Sequence, residues 1–218
     1  MLQKRQIEAV IFDLDGVLVQ SERVSWKTWL DFLQEFGKEM GDDDYRSLIG
    51  THNSAEFIRT RLNLPLSAEE ISQDHQRRVL EAIEHGVPVT KGTEALLADL
   101  SSRSLPLAVA SNSHRHYVLR VLELTGLAQY FQAVVTRDDV PLGKPAPDVY
   151  LEAAARLGIP AKDCMAVEDS PVGLEAAVAA EMVSIAIPNP DLQEMDFEIA
   201  QYKFESIISL HNALSSLF

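Results

Sequence analysis

The run Ala9-Val10-Ile11-Phe12-Asp13-Leu14-Asp15-Gly16-Val17 constrains this chain more than any other stretch. An apolar, β-branched segment of this kind specifies a buried strand. It stops at two carboxylates one residue apart, followed by a glycine free to turn. In open parallel α/β sheets the ligand crevice lies beyond the carboxyl ends of the strands, so acids placed there face a site rather than bulk solvent. An Asx turn leading into Gly16 competes as an explanation of the pair taken alone. The remainder of the chain weighs against it.

Beyond Val17 the periodicity lengthens. Trp26, Trp29, Leu30, Leu33 and Phe36 recur at three- and four-residue steps, which predicts an amphipathic helix closed by Gly37. Further helices are expected near Asp43 to Ile49, from Asn53 or Ser54 to about Arg61, and after Ser67, where Ser67-Ala68-Glu69-Glu70 forms a capping box. No strand pattern interrupts them, so residues 19–90 read as an all-helical cap domain inserted after the first strand. Helical spacing assigns both tryptophans to the core of that domain, and Arg77-Arg78 read as a solvated face.

From Gly92 helix and strand alternate. Helices are predicted over Thr93 to Ser102, Ser113 to Thr125, Asp148 to Leu157 and Val172 to Ala180, with another from about Ser209; strands are predicted over Leu107 to Ala110, Val134-Val135, Met165 to Val167 and Val183 to Ile187. Continuous apolar strands alternating with helices imply a parallel sheet covered on both faces. The expected architecture is α/β: a Rossmann-like, three-layer parallel sheet core, residues 1–18 and 91–218, carrying the helical cap. A chain of 218 residues, 46% hydrophobic, has enough apolar material for such a core.

A formal net charge of −14 and an isoelectric point near 4.8 argue against nucleic acid and anionic membrane surfaces as partners. A small anionic substrate would need local positive charge. The single cysteine, Cys164, cannot form an intramolecular disulfide and is assigned to packing. With neither a leader pattern nor an apolar run long enough to span a bilayer, the expected location is the cytoplasm, as a monomer or weak homodimer.

Three predicted strands end in polar residues: Asp13 and Asp15 after the first, Ser111 and Asn112 after the second, and Glu168, Asp169 and Ser170 after Met165-Ala166-Val167. Between the last two lies Gly143-Lys144-Pro145-Ala146-Pro147, where flanking prolines hold the backbone extended around a single lysine. Each feature has a bland explanation as a turn, an exposed charge or an acidic helix start. All of them holding at once is the weaker account. Up to four crowded carboxylates need compensating cations or a proton. An all-oxygen set without histidine or cysteine favours a hard cation such as Mg²⁺, which shares its coordination between carboxylates, water and substrate phosphate. Metal and Lys144 would neutralise a phosphoryl group, Ser111 would hydrogen-bond it, and a carboxylate could then attack phosphorus.

Asp13-Leu14-Asp15-Gly16-Val17, Ser111-Asn112, Gly143-Lys144-Pro145 and Glu168-Asp169-Ser170, in this order, resemble the four motifs of the haloacid dehalogenase-like hydrolase superfamily. The nearest subgroup is that of β-phosphoglucomutase and the small sugar-phosphate and phosphoglycolate phosphatases, which insert a helical cap after the first motif. The resemblance implies that Asp13 is a nucleophile forming an aspartyl-phosphate. Asp15 would be the general acid and then the base, and Ser111, Asn112 and Lys144 would hold the phosphoryl group. The implied metal ligands are the Asp13 carboxylate, the Asp15 backbone carbonyl and Asp169, with Glu168 ligating or adjacent. Like charge nearby agrees with an ionised Asp13 and a protonated Asp15.

The match thins toward the cap. Gln20-Ser21-Glu22 stands where relatives often have an aspartate before the Ser/Thr-Glu pair, and the histidine and arginine of the mutase type are replaced by Ser25 and Asn53. Gln20, Glu22, His52, Asn53 and His114 are the candidates for substrate specificity, against capping or surface roles for the two histidines. Glu181 occupies a helix-ending position where relatives commonly carry glycine. The two connections, Val17 to Gln20 and Val89 to Gly92, are expected to act as hinges. The resulting expectation is a Mg²⁺-dependent phosphatase of a small phosphorylated metabolite. Alternatives are a β-phosphoglucomutase-like phosphomutase and a catalytically silent phosphate-binding module. A metal-free dehalogenase fits the acidic pair less well.

Overall fold

In the computed structural model, which describes residues 7–41, 43–44, 48, 54–189 and 196–217, β1 (Ala9–Phe12) lies inside a six-stranded, wholly parallel sheet. The other strands are β2 (Leu107–Ser111), β3 (Ala133–Thr136), β4 (Cys164–Glu168), β5 (Val183–Ala186) and β6 (Tyr202–Lys203), in the order β3-β2-β1-β4-β5-β6. The chain runs outward from β1 in one direction through β2 and β3, then crosses back to β4 and continues the other way. That reversal puts the carboxyl ends of β2, β1 and β4 side by side at the switch point of the sheet, where the crevice of such folds forms.

Residues of both parities in the central strands are fully buried, Ala9 and Ile11 on one face, Val10 and Phe12 on the other. The sheet is therefore the middle of three layers, as continuous β-branched and alanine-rich runs require. Its helices are α4 (Thr93–Ser102), α5 (Arg115–Leu124), α6 (Asp148–Leu157), α7 (Pro171–Ala179) and α8 (Ile207–Leu217). One face presents Ala9, Ala108, Ala110 and Ala166, and against these small side chains α6 packs Val149, Tyr150, Ala153 and Ala154, while α7 packs Ala176 and Ala177. Gly158 stops α6 in the left-handed conformation its sequence position foretells.

The chain divides into this sheet unit, Met1–Val19 with Pro88–Phe218, and a second unit, Gln20–Val87. The second unit holds α1 (Ser21–Gln34), α2 (Ser54–Leu62) and α3 (Ala68–Ile83) around its own core of Trp29, Phe32, Leu33, Ile58 and Ile71, with Trp26 packed against it. Ser67 accepts from the Glu70 N–H and Glu70 returns the bond, so the capping box forms as the sequence predicts. Arg78 is not merely solvated: it pairs with Asp74 and Glu35 and lies over the Phe32 ring. Of the helix expected near Asp43, only Asp43, Asp44 and Leu48 fall among the described residues, and all are helical. Where the sheet unit hands the chain over, Val19 and Val89 form an antiparallel bridge and Thr90 N–H donates to Leu18 carbonyl at 2.9 Å.

Three elements differ from expectation. α5 begins at Arg115 rather than Ser113, because the Ser113 N–H donates to Ser111 Oγ instead of entering a helical turn. α8 begins at Ile207 rather than Ser209, because Ser206 and Ser209 exchange hydrogen bonds that cap it. The short edge strand β6 carries no apolar pattern, since both residues are exposed and pair only through their backbone. Among the described residues no helix is long and apolar enough to cross a membrane.

Two expectations concern stability. Glu181 holds a φ of +61°, so Glu181→Gly should raise unfolding stability by about 1 kcal/mol in urea melts. Asp139 accepts from the Thr136 N–H and hydroxyl at 2.8 and 2.7 Å and pairs with Arg115 and Arg156, contacts that tie the end of β3 to α5 and α6. Burial alone would raise its carboxyl, but these bonds and charges lower it from 3.8 to about 2. A depressed carboxyl stabilises the fold above its unfolded value and loses that contribution as pH falls through about 2. Asp139→Ala should therefore cost about 1–2 kcal/mol at neutral pH, a deficit that closes as unfolding is measured toward pH 2.

Candidate active site

Strand order brings most of the chemistry-bearing residues together. Asp13 leaves β1 immediately after Phe12, which lies between Val109 of β2 and Val167 of β4, and its N–H donates to the Val167 carbonyl at 3.0 Å. Glu168 and Asp169 stand at the end of neighbouring β4, and Ser111 closes β2. Asp13, Glu168 and Asp169 are all buried, and each offers an oxygen within 4.8 Å of the others.

Lys144 is the counter-charge. Its ammonium reaches Asp13 Oδ1 at 2.5 Å, Glu168 Oε1 at 2.7 Å and the Ala110 carbonyl at 2.8 Å, and the residue is only 5% exposed. The loop that delivers it has a cis Lys144–Pro145 bond and is clasped by Asn112 in both directions: Lys144 N–H donates to Asn112 Oδ1 at 2.7 Å, and Asn112 Nδ2 donates to the Lys144 carbonyl at 3.0 Å. The Asn112 side chain thus positions the lysine. Ser111 is buried, its Oγ accepting from Ser113 N–H at 3.0 Å.

The electrostatics follow from burial. Desolvation pushes the Asp13 carboxyl from 3.8 up to about 8, with Glu168 and Asp15 adding to the rise and Lys144 opposing it. Burial alone would lower the Lys144 ammonium, yet the charges of Asp13 and Glu168 outweigh that and hold it above its ordinary value. Asp13 sits deeper than Asp15, so desolvation weighs heavily on it.

Asp15 is half-buried and gripped at both oxygens, Oδ2 accepting from Ser113 Oγ at 2.8 Å and Oδ1 from Tyr117 hydroxyl at 2.9 Å. Neither donor stands out in the sequence: Ser113 precedes α5 and Tyr117 lies in its first turn, and the fold brings both hydroxyls onto Asp15. Tyr150 was equally hidden as a core residue of α6; its hydroxyl donates to Glu168 Oε1 at 2.5 Å. Burial and the Glu168 charge push that phenol well above its ordinary value, so it stays a donor.

The candidates for specificity are scattered. His114 precedes α5 and contacts Asp138 through Nδ1 at 2.9 Å, stacked near His116. Gln20 and Glu22 belong to the helical unit, where Gln20 precedes α1 without capping it. His52 and Asn53 lie outside the described residues.

The acidic set fits a hard cation. Its donors are all oxygen, and three carboxylates against one ammonium leave negative charge in excess. Gly16, at φ +80°, lets the Asp169 carboxylate approach closely, because a Cβ there would fall 1.8 Å from Asp169 Oδ2. A sequence model of the haloacid dehalogenase-like hydrolases matches residues 10–187. The chain belongs to this family. Among the hydrolases it resembles, hexitol phosphatase B of Escherichia coli (strain K12) is 32% identical over 216 residues, spanning 96% of this chain and 97% of that protein. The crystal structure of CbbY from Rhodobacter sphaeroides in complex with phosphate is similar at a TM-score of 0.82 and 26% identity, over 94% of this chain and 96% of that one. A HAD family hydrolase from Deinococcus radiodurans R1 with bound phosphate and sodium matches at a TM-score of 0.82 and 27% identity, over 98% and 97% of the two chains.

In this hydrolase the acidic pair also depends on Gly173, the third residue of α7, where a Cβ would lie 2.0 Å from the Glu168 carboxyl group. Gly173→Ala should cost about 1–3 kcal/mol by overpacking against the Glu168 carboxyl group, a loss that urea unfolding checks.

Proposed function

We propose that this chain is a Mg²⁺-dependent phosphatase that hydrolyses a small phosphomonoester, a sugar phosphate or a similar metabolite, through an aspartyl-phosphate on Asp13. The observation that carries the proposal is a buried aspartate at the switch point of a parallel sheet, paired to a buried lysine and grouped with two further carboxylates. Its likeness over nearly full length to hexitol phosphatase B and to CbbY solved with phosphate supports the same reading.

Asp13, Glu168 and Asp169 would hold the cation, with the Asp15 carbonyl joining them by analogy with the family. Bound there, Mg²⁺ supplies positive charge that favours the Asp13 anion and neutralises phosphoryl oxygens. The remaining steps belong to the protein. Asp13 attacks phosphorus as the bond to the ester oxygen breaks, and Asp15 gives that oxygen its proton. Water then attacks the aspartyl-phosphate, Asp15 takes its proton, and the bond between phosphorus and Asp13 breaks to release inorganic phosphate. Ser113 and Tyr117 keep the Asp15 carboxyl oriented throughout. Lys144 lowers the charge that an anionic substrate meets at Asp13, and Ser111 with the Asn112-Lys144 clasp frames the phosphoryl group.

The test is phosphate release from a panel of phosphorylated metabolites, with Mg²⁺ or chelator, for wild type and variants. Asp13→Asn should fold normally and lose at least about a thousandfold in kcat. Asp15→Asn should lose more with alkyl phosphates than with aryl phosphates, whose leaving groups need no proton. Unaltered turnover by Asp13→Asn would refute the covalent route, and isomerised phosphosugar in place of free phosphate would establish a mutase.

A further inference from the structure

Glu168 is held mainly by one oxygen. Among the described residues, its Oε1 accepts from Lys144 Nζ at 2.7 Å and from the Tyr150 hydroxyl at 2.5 Å, whereas Oε2 accepts only from the Ser170 hydroxyl, at 3.5 Å. Tyr150 is fully buried on α6, and the Lys144 ammonium lies 5.0 Å from its ring centroid. Gly173 closes the other side of the carboxyl group, so Glu168 has little room to swing. A phenol is a neutral donor: it fixes a carboxylate without cancelling its charge, as a second cation would.

We propose that Tyr150 is a positioning residue that sets which divalent cation the site accepts, by joining Lys144 on Glu168 Oε1 and leaving Oε2 as the one oxygen Glu168 can offer. The inference rests on the metal-dependent reading above. Its consequence comes from ion size. Mg²⁺ takes six ligands at roughly 2.0–2.1 Å in near-octahedral array, whereas Ca²⁺ takes six to eight at roughly 2.3–2.6 Å and commonly uses both oxygens of a carboxylate. A glutamate restricted to one oxygen withholds a ligand from Ca²⁺ and takes nothing from Mg²⁺. Tyr150 therefore favours the smaller ion, and it does so without touching substrate.

The experiment is calorimetric titration of the full chain with MgCl₂ and with CaCl₂, for wild type and Tyr150→Phe, with near-ultraviolet circular dichroism as the check on folding. Both ions carry the same charge, so the ratio of their Kd values cancels any general change in the field of the site. Loss of the hydroxyl should shift that ratio toward Ca²⁺ by about five- to tenfold, the scale of one hydrogen bond. An unchanged ratio overturns the proposal, including equal weakening of both ions, which would make Tyr150 a packing residue. Should Tyr150→Phe fail to fold, Lys144→Met removes the other Oε1 donor, and the ratio must move in the same direction. Absence of Mg²⁺ binding in the wild type, or binding that survives Asp169→Asn, would instead defeat the metal reading itself. Intact Mg²⁺ binding with an unmoved ratio defeats only the role given to Tyr150.

Discussion

The buried ammonium of Lys144 is the interaction on which the site depends. Taking a carboxylate out of water costs several kcal/mol unless a partner compensates, and here three carboxylates are buried within reach of one another. Lys144 divides its donors between Asp13, Glu168 and a backbone carbonyl, so it stabilises two of the acids at once. The surrounding design serves to deliver it. Asn112, at the end of β2, holds the lysine's own peptide groups, and the alanines of the central strands let α6 pack closely beneath the sheet. Charge and packing are one problem here, because a lysine stem can be buried only where neighbouring side chains are small enough to admit it.

Compensation is incomplete, and the shortfall is informative. One ammonium does not balance three carboxylates: burial, with the charges of Glu168 and Asp15, raises the Asp13 carboxyl against the opposing pull of Lys144. A structural ion pair needs no such surplus, whereas a site that receives a divalent cation does. Asp15 is treated differently. It lies nearer solvent and accepts from two hydroxyls rather than an ammonium, an arrangement that orients the carboxyl group. Two aspartates one residue apart are thus given separate environments by depth and by hydrogen-bond partner.

Helices and buried strands were legible because their signals are local. The capping box at Ser67, the glycine after Leu157 and the continuous apolar runs of β1, β2 and β4 each act through neighbouring residues. β6 escaped notice for the converse reason: two exposed residues join the sheet through backbone bonds that any side chain permits. Tyr150 carries no signal in the sequence: its ring packs in the core, and its hydroxyl donates to Glu168. Asn112 read as a phosphate ligand, and its amide turned out to hold the loop of Lys144.

By itself the sequence determined the kind of fold, the strands that carry acids at their ends, and the family whose motifs those acids compose. These are matters of residue type and spacing, encoded within stretches of a few residues. What only the tertiary structure decided is how charge is distributed among them: that Asp13 lies deeper than Asp15, that Lys144 is shared between two carboxylates, and that Glu168 takes its two shortest hydrogen bonds on one oxygen. Desolvation and hydrogen-bond geometry depend on distances between residues far apart in the chain. Those distances exist only once strand order has brought β2, β1 and β4 together.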